Sequence, residues 1–264
     1  MNEKVSVIIP VKKIDKYFYL ALNSIINQTY QNIEILIVVD KGYEKEMLAA
    51  TSTLKKKEGS ERIVIVNSNL FGIAAALNVG IQKSKGTYIA RMDSDDISEL
   101  SRIEKQINYF KANASCQVLG SRAKFINEDG KPIGTSPQNP KNKNIKKLMY
   151  LNNLVIHPSV MINADFIRKI GGYSNQPSED YEMWLRCLEL DKNSIAILDE
   201  ELIQYRIHQN QISKTTRTKG QTAVCNALFA AMLRKINIFV IIGLTFNITK
   251  LVFRKIQNFF TTKQ

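Results

Sequence analysis

Three carboxylates stand within four positions at Asp93-Ser94-Asp95-Asp96. Like charges that close repel one another unless a cation or basic groups hold them. Hard divalent cations take oxygen ligands and keep water and substrate phosphate in their remaining positions. The cluster follows a short β-type run, Thr87 to Met92. Asp93 and Asp95 are therefore expected to meet a metal–nucleotide complex at the C-terminal end of a strand. A local reading stands beside this one: Asp96 or Ser98 would N-cap a helix starting near Glu99. Asp40, in Asp40-Lys41-Gly42, leaves another apolar run; it would face a ligand there or form an Asp-x-Gly turn. Glu179-Asp180 opens Tyr181-Glu182-Met183-Trp184-Leu185. Its local reading is a helix N-terminus, with acids complementing the dipole and Trp184 packed inward. There are two histidines. His157 reads as structural. His208 follows a strand and Arg206; a phosphate contact, a metal ligand or a surface hydrogen bond would each suit it.

These groups need a scaffold. Val5 to Ile9 is a continuous apolar run closed by Pro10, the pattern of a strand buried on both faces of a parallel sheet. Asp15 is placed to cap a helix whose Phe18, Ala21, Leu22, Ile25 and Ile26 recur every three or four residues. Ile33 to Val39 reads as the second strand, Glu44 to Lys57 as a polar-faced helix and Arg62 to Val66 as the third strand. A loop from Asn67 to Gly72 leads to a helix through Ile73, Ala76, Leu77 and Gly80. Its small residues Ala74 to Ala76 would let it lie close to the sheet or to a ligand. With Thr87 to Met92 as fourth strand, the alternation predicts an α/β doubly wound sheet. No G-x-G-x-x-G follows the first strand and no G-x-x-x-x-G-K-[ST] occurs, which argues against a usual dinucleotide fold and a P-loop.

The chain resembles the family 2 inverting glycosyltransferases. Val7-Ile8-Ile9-Pro10, Ser24-Ile25-Ile26-Asn27-Gln28-Thr29-Tyr30, Glu34-Ile35 and Asp40 match the family's opening. Asn69-x-x-Gly72, Leu77-Asn78-x-Gly80 and Met92-Asp93-Ser94-Asp95-Asp96 follow in the family's order, and the likeness spans roughly residues 4 to 213. It implies the single-lobed GT-A fold: a mostly parallel central sheet flanked by helices, here with C-terminal helices added. It also implies sugar transfer from a nucleotide diphosphate, UDP-linked by expectation, with manganese or magnesium. Donor contacts are implied for Pro10, Asp40, Asn69, Gly72, Arg91 and Asp93, and metal contacts for Asp95 and His208. Inversion needs a base that takes the acceptor proton as the anomeric carbon is attacked. The resemblance gives that role to Asp180, with Glu179 and Trp184 beside the acceptor. Two departures fall where the family places base or ribose contacts: Lys12-Lys13 after the first strand, and Lys41 after Asp40.

Beyond the acidic cluster, a helix is expected from Arg102 to Lys111, short strands at Val118 to Gly120 and Ala123 to Ile126, and a type I′ turn at Asn127-Glu128-Asp129-Gly130. Lys141 to Lys147 reads as a solvated basic loop and helix start. Leu202 to Ile207 is the expected last strand, running into His208-Gln209-Asn210-Gln211-Ile212-Ser213. Ala223 to Arg234 looks helical. Ile236 to Phe253 is apolar but interrupted by Asn237, Asn247 and Lys250, so no span is expected. With Arg234, Lys235, Arg254 and Lys255 around it, this helix would lie in an anionic membrane interface, or else cover the catalytic domain or a dimer partner. The implied parts are 1–97 for the donor half, 98–215 for the acceptor half and 216–264 for a helical extension.

Lys and Arg number 37 against 24 acids, a net charge of +13. That excess suggests phosphorylated substrates, an anionic membrane face or nucleic acid; the family resemblance makes nucleic acid unexpected. Three scattered cysteines suggest neither a zinc site nor a disulfide frame and fit the cytoplasm, or the inner face of the cell membrane. The first residues carry a strand pattern, not a signal peptide. The acceptor is expected to be a saccharide or lipid-linked saccharide; oligomerisation is open. Two rivals remain. A nucleotidyltransferase lacks the glycine-rich basic loop it would need after strand one. A non-enzymatic binder of membranes or polyanions would leave the ordered acidic motifs without a purpose.

Overall fold

A computed structural model describes residues 3–54, 59–138, 144–208, 217–235 and 237–261. The elements in chain order are β1 (Val5–Val11), α1 (Lys16–Ile26), β2 (Ile33–Val39), α2 (Glu44–Leu54), β3 (Ile63–Asn67), α3 (Ile73–Lys83), β4 (Tyr88–Arg91), β5 (Ile97–Ser98) and α4 (Arg102–Ala112). They continue with β6 (Val118–Ile126), β7 (Pro132–Thr135), α5 (Ile145–Met149), β8 (Met161–Asn163), α6 (Ala164–Lys169), α7 (Glu179–Leu190), β9 (Ile195–Arg206), α8 (Arg217–Arg234) and α9 (Ile238–Thr261). Two compact units result. The first comprises Met1–Asn139, Val155–Tyr173 and Ala196–Ile207; the second comprises Pro140–Leu154, Ser174–Ile195 and His208–Gln264.

The first unit holds the expected α/β sheet. Its parallel part runs β3-β2-β1-β4, with Val5 opposite Ile33 on one side and Tyr88 on the other. The order reverses between β1 and β4, which opens a crevice at the C-terminal strand ends where ligands bind in such sheets. Beyond β4 the sheet continues through β8, β6, β9 and β5, with the β4–β8, β8–β6 and β9–β5 pairs antiparallel. The apolar runs of β1 and β2 are buried along almost their whole length. Each fully buried Val, Leu or Ile there contributes about 1.5–3 kcal/mol relative to exposure. The α1 face formed by Phe18, Ala21, Leu22 and Ile25 joins the same core. Asp15 caps α1 as expected, accepting from the N–H groups of Tyr17 (2.9 Å) and Phe18 (3.3 Å).

Several elements differ from the sequence expectation. α4 begins at Arg102, not near Glu99, and neither Asp96 nor Ser98 caps it; Ser101 holds the cap position without a side-chain hydrogen bond. Residues 97–98 instead pair with β9. β6 is one nine-residue strand, where two were expected. At 127–130 only Gly130 takes a positive φ, so the turn is not type I′; the Asn127 side chain closes it by accepting from Asp129 and Lys131. The last strand begins at Ile195, seven residues before Leu202. The expected segments 55–57, 141–143 and 209–213 lie outside the described residues.

The second unit is built from α5, α7, α8 and α9. Trp184 and Tyr181 of α7 are fully buried, and the Tyr181 hydroxyl donates to the Met149 carbonyl at 2.8 Å. α9 packs through its polar and small residues. Asn247 donates to the carbonyls of Tyr150 (3.3 Å) and Gly243 (2.8 Å) and accepts from Gln221 (2.9 Å). A side chain at Gly243 would collide with the Tyr150 carbonyl.

A buried glutamine fixes the entry to α4. Gln28 donates to the carbonyls of Ser24 (2.9 Å) and Glu99 (2.8 Å) and accepts from the Ile103 N–H (3.1 Å), one of the first-turn donors that α4 itself does not satisfy. Each buried group left unpaired costs about 1–3 kcal/mol. Gln28→Ala is expected to lower unfolding stability by at least about 2 kcal/mol in urea titration. A loss below about 0.5 kcal/mol would contradict this role.

Candidate active site

β4 carries the acidic cluster to the sheet's C-terminal edge. Its neighbours hold the strand end: Met92 N–H donates to Ile8 (3.1 Å) and Arg91 N–H to Val160 (2.9 Å). Asp93, Asp95 and Asp96 then offer carboxylate oxygens within 4.8 Å of one another. Among the described residues, this is the group of side chains able to hold a metal ion.

Two buried arginines shape the cluster. Arg91 grips Asp93 with both terminal nitrogens, Nη1 donating to Oδ2 at 2.7 Å and Nη2 reaching Oδ1. Burial opposes the charge on Arg91, but Asp93, Tyr173 and Asp96 outweigh it and raise its pKa. An arginine left buried without such a partner costs about 3–5 kcal/mol. Arg206 comes from the end of β9. Its N–H donates to Asp96 Oδ1 (2.8 Å), its Nε to the Asp95 carbonyl (2.8 Å) and its Nη1 to the Asn127 carbonyl (2.9 Å). The Tyr17 ring lies 4.5 Å from its guanidinium carbon, a cation–π distance.

Asp96 is the strained member. It is 1% exposed, and its Oδ2 has no hydrogen-bond partner among the described residues. Burial, then Asp93 and Asp95, push its pKa well above the usual carboxylate range; the Arg206 N–H and Arg91 oppose this. A buried carboxylate oxygen without a protein partner, beside two further carboxylates, suits a hard divalent cation. The residues present therefore fit the metal that the sequence implies.

The other expected donor residues collect at neighbouring strand ends. Asp40 is buried at the end of β2 and accepts from the N–H groups of Lys41 (3.1 Å) and Gly72 (3.1 Å). It thus makes the local turn and also anchors the loop before α3. Gly72 takes φ +102, a region that L side chains rarely adopt. Asn69, Leu70 and Phe71 are exposed in that loop. Lys12 Nζ lies 3.5 Å from Asp40, and Lys41 Nζ sits 5.2 Å from the Phe71 ring centroid. Pro10 is half-buried near the end of β1. Of the lysines at departure positions, Lys12 thus stands close to the carboxylate and Lys41 to the loop.

In the second unit, Glu179 and Asp180 open α7, after Ser178 in a left-handed conformation. Asn153 donates to Asp180 Oδ2 at 2.8 Å. Trp184, expected also beside the acceptor, has a wholly buried ring. It offers no face to a sugar and packs inward, as the local reading of α7 has it. His208 is half-buried, two residues after Arg206.

Sequence reasoning missed the linked group of His157, Tyr173 and Asn78, whose His157 and Tyr173 interact electrostatically with Arg91. His157 Nε2 lies 2.8 Å from the Tyr173 hydroxyl. Asn78 clasps Tyr173 by accepting from its N–H (2.9 Å) and donating to its carbonyl (2.8 Å). The Leu77-Asn78-x-Gly80 motif was the available signal. Burial, then the positive charge of Arg91, push the His157 pKa well below its ordinary 6.5. The native state therefore binds a proton more weakly than the unfolded chain. Stability from this group is intact above about pH 6.5 and is lost as pH falls through the depressed native value. Urea midpoints between about pH 8 and pH 5 are expected to fall on acidification and to fall less in His157→Gln. An equal decline in the variant would place the effect elsewhere.

Comparison with known proteins agrees with this geometry. The Glycosyl transferase family 2 profile matches residues 6–171. The O-antigen biosynthesis glycosyltransferase WbnJ of Escherichia coli is 35% identical over 216 residues, covering 81% of this chain and 83% of that one. An uncharacterised glycosyltransferase of Methanocaldococcus jannaschii is 32% identical over 211 residues, covering 78% and 71%. Among solved structures, S. aureus TarS 1–349 in complex with UDP-GlcNAc superposes with a TM-score of 0.66 at 15% identity, over 86% of this chain and 66% of that one. The mannosyltransferase PcManGT of Pyrobaculum calidifontis, in complex with GDP-Man and Mn2+, gives 0.63 at 11% identity, over 88% and 65%. The chain thus spans just under two thirds of each solved chain and has their GT-A fold. From profile, sequence relatives and fold together, the chain belongs to glycosyl transferase family 2.

Proposed function

We propose that the protein moves a sugar from a nucleotide diphosphate, UDP-linked by preference, to a hydroxyl of a saccharide or lipid-linked saccharide, inverting the anomeric centre. The observation that carries this is the three-aspartate cluster at the sheet's switch point, with Asp96 Oδ2 buried and lacking a protein partner among the described residues. The relatives support the substrate classes: TarS was solved with UDP-GlcNAc and PcManGT with GDP-Man, while WbnJ is named for O-antigen biosynthesis.

In this proposal the donor lies along the ends of β1, β2 and β4. Pro10, Asp40 and the 69–72 loop take the base and ribose. Asp93, oriented by Arg91, takes the ribose or the cation; Asp95 and Asp96 hold manganese or magnesium, and His208 contacts the cation or the diphosphate. When bound, the cation neutralises the negative charge that grows on the departing diphosphate. Asp180, oriented by Asn153, accepts the proton of the attacking hydroxyl while Glu179 binds the acceptor. The acceptor oxygen bonds to the anomeric carbon as the bond to the diphosphate oxygen breaks, so one displacement inverts the centre. Trp184 serves this scheme from within, as core support for α7. Residues 1–97 would then carry the donor contacts, 98–215 the acceptor contacts, and 216–264 an accessory role.

A panel of UDP- and GDP-sugars with Mn2+, read by chromatography of released nucleotide, tests the reading. Release of nucleoside diphosphate is expected with one donor. Asp95→Ala and Asp180→Ala are each expected to lose about 10²–10⁴-fold in rate, with unchanged far-UV circular dichroism. Pyrophosphate as product would favour nucleotidyl transfer instead. Undiminished turnover in either variant would remove that residue from the scheme.

A further inference from the structure

The C-terminal helix is amphipathic in the reverse sense. The face of α9 that packs inward carries Val240, Gly243 and Asn247, and Asn247 is only 3% exposed. The face turned to solvent carries Ile238, Ile242 (49% exposed), Phe246 (42%), Val252 and Phe253 (60%). Polar side chains on that face are already satisfied within the helix: Thr245 donates to the Ile241 carbonyl and Thr249 to the Thr245 carbonyl, both at 3.0 Å. An outward apolar stripe from Ile238 to Phe253, about 24 Å of helix, is not explained by folding of its own unit. No described helix is long and apolar enough to cross a membrane.

We propose that this face of α9 lies in the interfacial layer of an anionic lipid bilayer. Charge selects the lipid. α9 contains no Asp or Glu, while Lys250, Arg254 and Lys255 lie along it. Lys250 Nζ sits 4.2 Å from the Phe246 ring centroid, and Lys147 of α5 sits 5.2 Å from that of Phe239. Cations thus stand beside the aromatic rings that would enter the acyl boundary. Apolar residues below the headgroups with lysines at headgroup level are the composition of an in-plane membrane helix. A second copy of the chain fits less well, because a two-fold contact would set these lysines against themselves. The inference does not depend on the sugar-transfer reading, since it concerns binding alone.

Sedimentation of the full chain with phosphatidylcholine vesicles, with and without phosphatidylglycerol, tests it. Binding to the phosphatidylglycerol vesicles is expected, weakened by salt. The double variant Ile242→Asp, Phe246→Asp alters two exposed positions and is expected to bind at least about tenfold more weakly. Lys250→Gln and Lys255→Gln are each expected to cost about fivefold, a readout that survives if the double variant misfolds by circular dichroism. Absence of wild-type binding to anionic vesicles would overturn the proposal, as would lysine variants that bind undiminished. A lipid-free wild-type dimer that the double variant makes monomeric would assign the face to a second copy.

Discussion

Mutual repulsion of three carboxylates at the end of β4 is the constraint that the surrounding structure has to meet. Asp93 is paired with Arg91, which is itself buried. Asp96 receives a backbone N–H from Arg206, whose side chain clamps the Asp95 carbonyl. Neither arrangement cancels the charge fully: burial, then Asp93 and Asp95, push the Asp96 pKa up. Perturbed carboxylates of this kind cluster at functional sites.

A third buried arginine, Arg102, locks the strand that presents these groups. It donates to the carbonyls of Arg91 (2.8 Å) and Val160 (3.2 Å). Burial, then Arg91, push its pKa down to about 9 against the pull of Asp96. Gln106, one turn further along α4, donates to Leu119 (3.1 Å) and Ser159 (2.9 Å). Side chains from one helix thus tie together β4, β6 and the segment before β8. The acidic cluster sits on a strand end whose position is fixed by buried polar bonds, where each unmade bond is expensive.

Much of this was legible in the sequence. The unbroken apolar runs of β1 and β2, the Asp15 cap and the alternation of elements gave the α/β sheet, since short-range periodicity encodes them. The positions of Asp40, Asp93 and Asp95 at strand ends followed from the same pattern. What periodicity does not encode was missed: the pairing of residues 97–98 with β9, the Arg206 contact with Asp96 and the Gln28 bond to α4. Those partners are separated by 75 to 110 residues. Trp184 was given a ligand role that its burial does not permit. In α9, Asn247 interrupts an apolar stretch in the sequence; in the structure it faces inward.

Membership of glycosyl transferase family 2 sets the class of chemistry, and the aspartate cluster sets where the donor diphosphate would be held. Calorimetric titration of UDP into the full chain, with and without Mn2+, tests that assignment most directly. The account predicts UDP binding that requires Mn2+ in the wild type and is lost in Asp95→Ala. Tight, metal-independent UDP binding that Asp95→Ala leaves unchanged would contradict it.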